Sequence, residues 1–289
     1  MIKNLLKITA LVAATPLVMA QSNRFVYVVN MKPDSANRAD IKREIAYLDT
    51  DGSKSLFVAE KTVQRDSLFS RNRQTGQRPD FSQMENFRST LNFTIEKDYS
   101  KGEVTFKKRI GRDNYAYTEK LNLPWKIEEE TTKIDKYTAQ KATVDFGGRK
   151  WTAWFAPEIP VADGPYKFRG LPGLIIKLFD DKGDYTFELA ESKKLAEMAL
   201  VNQMRQTIKA KKEEYLKMEK RFKEYPEEFM RSQMSSAGIR PMGGRPGSRG
   251  GQGGPGGGRP GGMNSEMMKN MRERMLNEFK TNNNPIELK

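Results

Sequence analysis

The sequence predicts a mainly β protein: an antiparallel, strongly curved sheet or open barrel, followed by a charged helix and a disordered Gly/Arg/Pro tail. Three observations lead there. Short β-branched and aromatic runs recur between turn-forming clusters as far as residue 190. From Glu191 the apolar spacing lengthens to a helical period. Over 238–262, thirteen of 25 residues are Gly, four are Pro and four are Arg, too little apolar surface to offset the entropy of ordering.

The runs at 24–29 (RFVYVV), 54–58, 90–95, 104–109 and 115–117 read as strands. Asp51-Gly52, Ser100-Lys101-Gly102 and Gly111-Arg112-Asp113-Asn114 separate them as turns. Residues 63–88 hold Arg65, Arg71, Arg73 and Arg78 with little apolar period, which predicts a long polar loop. Further strands follow at 134–146, 150–155, 173–179 and 184–189. Short strands at this spacing favour an antiparallel sheet over βαβ units. A β domain over 21–190 is long enough for one substantial core. Leu195, Met198, Met204, Ile208, Tyr215, Phe222 and Phe229 then define one face of a charged helical segment over 191–235, which Pro226 kinks or restarts. A linker over 236–263 precedes a short amphipathic helix over 264–289, with Met268, Met271, Met275 and Phe279 as its stripe.

Residues 1–20 read as a signal peptide. Lys3 and Lys7 give the positive region, 8–18 the short apolar core, and Val18-Met19-Ala20 the small residues before cleavage at Gln21. The expectation is an exported protein, periplasmic or extracellular. No later window approaches a membrane-spanning length, and the absence of cysteine rules out an N-terminal lipid anchor. Removing Lys3 and Lys7 takes the net charge from +14 to +12. Residues 21–190 carry 29 basic and 25 acidic side chains, whereas 191–289 carry 20 and 12, so +8 of the excess lies in the last 99 residues. A basic balance confined to a tail suggests an arm for an anionic surface or acidic partner.

With no cysteine and no histidine, disulfides, thiolate zinc sites, Cys or His nucleophiles and the Ser-His-Asp triad are excluded. GxSxG, SxxK, HExxH and P-loop motifs are missing, and adjacent carboxylates such as Glu128 and Glu130 do not by themselves flank a scissile bond. Asp49, Asp51, Ser53 and Glu60 imitate an EF-hand count, but the glycine falls at position four instead of six, so a hairpin turn is the better reading. Asp180-Asp181-Lys182-Gly183-Asp184 likewise reads as a turn. Gly251 to Gly256 spells GxGxxG by composition alone, with no strand before it. Ser248-Arg249-Gly250-Gly251 lacks the aromatics that stack bases, so nucleic acid is not expected as a partner. No metal, cofactor or catalytic residue is predicted, and the chain reads as a non-enzyme.

The densest stretch is 125–189. Trp151, Ala153 and Phe155 share one strand face and Trp154 lies on the other, so both faces are covered or one lines a cleft. Gly164 and Pro165 belong to one turn, Leu171-Pro172-Gly173 to another that suits type II geometry, and 174–179 reads as a buried strand. Packing and turn formation account for all of these residue types. Within this stretch Gly170, Leu171, Pro172, Gly173, Leu174 and Ile175 spell the hexapeptide that names the GLPGLI family of exported bacterial proteins. The surrounding 148–180 resembles that family's signature, and Trp125-Lys126-Ile127 and 139–142 are also similar. The resemblance covers 24–190. It implies export and a β-rich fold and supplies no catalytic residue; many members carry a cysteine near 139–142 that this chain lacks.

Two functions are expected from these features. The first is an exported, non-enzymatic binding protein of the cell envelope, holding an apolar small molecule in the concavity of its sheet. Trp151, Trp154, Phe155 and Phe168 would then form the wall, supported by the turns at Gly164–Ile175. The second is an envelope scaffold whose basic tail grips an anionic surface or an acidic envelope protein.

Overall fold

In the computed structural model the described residues are 22–77, 85–199, 207–236 and 265–288. The signal-peptide reading over 1–20 and, beyond Ser236, the linker reading over 236–263 lie outside them. In chain order the elements are β1 (Ser22–Met31), β2 (Lys42–Thr50), β3 (Lys54–Ala59), α1 (Glu60–Gln74), β4 (Phe93–Asp98), β5 (Glu103–Ile110), β6 (Asp113–Lys120), β7 (Lys126–Ile134), β8 (Tyr137–Phe146), β9 (Arg149–Ala156), β10 (Leu174–Asp180), β11 (Tyr185–Leu195), β12 (Thr207–Lys209), α2 (Lys212–Glu224), α3 (Pro226–Ser236) and α4 (Ser265–Thr281).

Twelve strands make one sheet in the order β12-β6-β5-β4-β3-β2-β1-β11-β10-β9-β8-β7. Neighbours pair antiparallel except for β12 and β6, which run parallel. Most consecutive strands are hairpins, as local turn chemistry dictates. At Asp51-Gly52, the Asp51 carboxylate accepts from the Ser53 and Lys54 amides at 2.8 and 2.9 Å, and Gly52 takes φ 87°. That turn fulfils the hairpin reading. The β1–β11 pairing is long-range and joins the two ends of the β domain at the middle of the sheet.

The sheet is bent round the segment between β9 and β10. In strand order β6 is second and β9 tenth. Eight steps at the usual strand spacing would separate them by about 38 Å if the sheet were flat. Yet Lys167 bonds Tyr117 on β6, while Phe168 packs on Trp151 of β9 with ring centroids 4.8 Å apart. Two consecutive residues reach both strands, so the sheet curls about them. It is not closed: β12 and β7 each have a single strand partner among the described residues.

Alternation selects the inner face. Tyr27, Leu48, Phe57, Ile95, Phe106, Trp151, Phe155 and Phe187 all join one buried core with Tyr166, Phe168 and Leu171 of the enclosed segment. Tyr215 of α2 packs against Phe106 and Tyr117, while Phe222, Phe229 and Phe279 tie α2, α3 and α4 together. Among the described residues no helix is long and apolar enough to cross a membrane.

Four expectations are corrected. Of the loop expected over 63–88, residues 63–74 belong to helix α1 and 78–84 lie outside the described residues; α1 lies on β2 and β3 and buries Thr62 and Asn72, so polar side chains supply the inward face that an apolar count misses. The charged segment does not begin as a helix. Leu195 ends β11 and Ile208 lies in β12, because backbone pairing with β1 and β6 overrides their helical spacing. The run 134–146 is split, since β7 ends at Ile134 and Asp135 turns the chain into β8 at φ 52°. Leu171-Pro172-Gly173 is not a type II turn: Gly173 has φ 153° and donates to the Leu171 carbonyl at 2.8 Å. Its need for glycine is steric, since a Cβ there would lie 2.4 Å from the Ala156 oxygen. Pro226 does restart the helix, opening α3 after α2 ends at Glu224 with Tyr225 alone between them.

Candidate functional site

The structure places the four aromatic residues named from the sequence in two environments. Trp151, Phe155 and Phe168 are fully buried, with Trp151 and Phe168 in ring contact. Trp154 projects from the other face of β9 and is half-buried. They do not converge on one opening. Gly164 is crowded, since a Cβ would fall 2.7 Å from the Ile175 side chain, while Pro165, Leu171, Leu174 and Ile175 are buried and Gly170 is exposed. A shallow surface depression does exist elsewhere, lined by Ile134, Tyr137, Ile176 and Leu189 with Asp135, Lys136, Glu191 and Ser192.

A more elaborate site lies where the C-terminal residues 282–288 cross the inner face. Arg149 opens β9 on the same side as Trp151, so strand alternation buries a guanidinium. A buried cation of this kind needs every donor matched. Its Nη1 donates to Asp180 and Asp184 at 2.8 and 2.9 Å, which makes the β10–β11 turn an arginine clamp. Its other donors go to the C-terminal segment: Nη2 to the Asn284 side chain and the Pro285 carbonyl (2.9 Å), Nε to the Ile286 carbonyl at 3.1 Å.

The same segment is gripped along its length. The Asn284 amide donates to the Pro33 carbonyl at 2.9 Å and its Nδ2 to the Lys32 carbonyl at 2.9 Å, while Tyr185 OH donates to the Asn284 carbonyl. The Leu288 amide donates to the Gly147 carbonyl at 2.6 Å. Ile286 is buried in the main core. The groove thus offers acceptors to the peptide's amides and donors to its carbonyls.

At the far end the groove is charged. Lys167 is buried, with Nζ 2.8 Å from Tyr117 OH, 2.6 Å from Glu119 and 2.5 Å from Glu287. The faces of Phe106, Tyr117 and Tyr166 stand 5.0–5.6 Å from that ammonium, close enough for cation–π attraction. Lys212 of α2 reaches Glu119 at 2.7 Å and Glu287 at 3.7 Å, and Tyr166 OH donates to Glu287 at 2.5 Å. Burial works against the Glu119 charge, but the two lysines outweigh it and hold its carboxyl below the usual range. Burial also opposes the charge on Lys212, and its hydrogen bond to Glu119 raises it nonetheless. Burial first, then the Glu287 charge, pushes the Tyr166 phenol well up, so it remains a donor. Tyr166 itself sits at φ 54°, a costly conformation for a bulky residue that aims its ring into this cluster.

The enclosed segment is fixed by a second buried pair. Lys97 of β4 meets Asp163 and also donates to the Gly164 carbonyl at 2.7 Å; Asp163 accepts from Ser55 and Tyr99 at 2.5 and 2.6 Å. This network holds 163–168 inside the curl and so places Tyr166 and Lys167.

Arg149, Tyr166, Lys167, Glu119, Lys212, Asn284 and Glu287 were not marked by sequence reasoning. Arg149 left a usable signal: it shares the two-residue period of Trp151, Ala153 and Phe155, which puts a charge on a buried face. Glu287 left none.

No match was found among curated proteins. Of solved structures, PNGF-II in space group P21 matches with a TM-score of 0.50 at 18% identity, over 69% of this chain and 33% of that one. PNGF-II in space group C2 gives a TM-score of 0.49 at 18% identity, over 69% and 32%. The chain therefore spans about a third of the length of the solved protein it resembles, and the likeness is one of fold. Over residues 147–177 the chain matches a family model described as a protein of unknown function (Porph_ging), and that stretch contains Gly147, Arg149, Tyr166 and Lys167 of the groove.

Proposed function

We propose that this chain is an exported, non-enzymatic binding protein of the cell envelope, a GLPGLI-type protein whose ligand is a linear peptide segment. The supporting observation is the buried Arg149, whose Nε and Nη2 are matched by the main-chain carbonyls and side-chain amide of residues 284–286, a segment 135–137 positions away in sequence. A guanidinium facing consecutive carbonyls, with opposing carbonyls facing the segment's amides, suits main-chain recognition of a linear peptide. The apolar small molecule expected from the aromatic wall fits less well, because Trp151, Phe155 and Phe168 fill the interior themselves. Glu119, Glu287, Lys167 and Lys212 are engaged with one another, which suits a structural and binding role.

The test is native mass spectrometry of the full-length chain carrying Asn284→Ala, which loosens its own segment, mixed with a synthetic peptide of residues 282–288 (NNNPIEL). A one-to-one adduct supports the reading, and a folded variant that forms none sinks it. For export, protein recovered from the periplasm should have a mass beginning at Gln21; an intact N-terminus in the cytoplasm would oppose that part.

A further inference from the structure

Resting on the peptide-site reading, we infer that the groove selects an acidic linear peptide, and that the chain's own residues 284–288 occupy it as a tethered competitor which that peptide displaces. The selecting element is the subsite around Glu287. Three donors converge on this one carboxylate: Tyr166 OH, Lys167 Nζ and, at 3.7 Å, Lys212 Nζ. With Glu287 in place, two lysines face two glutamates. Without it Glu119 alone faces both cations, and Lys167, fully buried while Glu287 is in place, loses one of its two carboxylate partners. The charge balance of the subsite therefore favours an anion.

The wall is cut to admit that backbone. Gly147 stands at φ 61°, and a Cβ there would lie 2.9 Å from the Glu287 Cγ and 3.0 Å from its Cα. The Gly147 carbonyl takes the next amide, from Leu288. Upstream, Asn284 is read through both its side chain and its main chain, and Ile286 fills an apolar position. The ligand class that follows is a peptide with the order Asn-Pro-aliphatic-Glu that bends at the aliphatic residue, as Ile286 does.

Residues 282–288 form no helix or strand of their own. They are held by side-chain amide, carbonyl and carboxylate contacts of the kind that free peptides also make. A tethered segment acts at an effective concentration near millimolar, so it should weaken the apparent affinity for a free peptide that binds at about 10 micromolar by about 100-fold.

The experiment is fluorescence anisotropy with fluorescein-labelled NNNPIEL and its Glu-to-Gln counterpart NNNPIQL, titrated with full-length wild-type chain and full-length Asn284→Ala. Ile286→Ala serves in its place if circular dichroism shows Asn284→Ala unfolded. The loosened variant is expected to bind NNNPIEL about 100-fold more tightly than wild type. It should prefer NNNPIEL over NNNPIQL by about tenfold or more, the loss of one charged hydrogen-bonding group. Adding Lys212→Met, which removes one of the two facing cations, should narrow that preference, and an unchanged preference would mean that the charge balance does not set it. Equal binding of the two peptides overturns the acidic selection while leaving the peptide site standing. Equal affinity of wild type and variant overturns the tethered competitor. Binding of neither peptide by a folded variant overturns the peptide site itself.

Discussion

Glu119 and Lys212 decide how the groove responds to pH. The folded Glu119 carboxyl lies below its ordinary value of 4.5, because Lys167 and Lys212 outweigh the cost of burial. Its contribution to stability is therefore complete above pH 4.5 and is lost as the pH falls through the lowered folded value. Lys212 is the opposite case: raised above 10.5, it contributes fully below that pH and loses its contribution as the pH rises through the raised value. Glu119→Gln should flatten the acid limb of the stability profile below pH 4.5 while lowering stability at neutral pH. Urea midpoints measured from pH 3 to 7 would show it, and an unchanged acid slope would refute the assignment. This part of the site was half-legible. Tyr115, Tyr117 and Glu119 alternate on one strand face, but no sequence pattern says that Lys167 and Glu287 meet them there.

At the scale of elements, local chemistry decided much and long-range pairing overrode the rest. The β2–β3 hairpin was legible because Asp51-Gly52 fixes its own turn. Helix α1 was not, because it packs through Thr62 and Asn72 in place of an apolar stripe. The extension of β11 to Leu195 was hidden too, since its register is set by β1, more than 160 residues earlier in the chain. The C-terminal segment depends on one such distant partner. Arg149→Lys removes the planar fork that serves Asn284, Pro285 and Ile286 together, and a single ammonium cannot replace it. In hydrogen exchange the Asn284 and Leu288 amides, which donate to Pro33 and Gly147, should be protected in wild type and exchange at least about tenfold faster in the variant, a loss of roughly 1.4 kcal/mol. Equal protection in both proteins would mean that Arg149 does not hold the segment.

The whole molecule is a bent sheet wrapped round its own 157–173 connection, and the buried Lys97–Asp163 pair locks the two together. Removing one charge from a fully buried pair strands the other, which costs about 3–5 kcal/mol. Asp163→Asn should therefore lower the unfolding free energy by about that much in urea titration, and a change under about 1 kcal/mol would mean that the connection is held by apolar packing alone. The pairing of Lys97 with Asp163 is a property of the curl. In sequence they stand 66 residues apart, and each sits in a segment that reads as ordinary strand or turn.

By itself the sequence determined the β class, the positions of most hairpins, the restart of the helix at Pro226 and the shared strand face of Trp151 and Phe155. Those follow from side-chain period and turn preference, which act over a few residues. The tertiary structure alone decided that the interior is filled by the connection between β9 and β10, and that Arg149, Lys167 and Lys212 converge on the last residues of the chain. The physical reason is that a groove belongs to no single segment. Its walls come from the loop after β1, from β6, β9, β11, the β9–β10 connection and α2, and only the curvature of the sheet brings them together around one peptide.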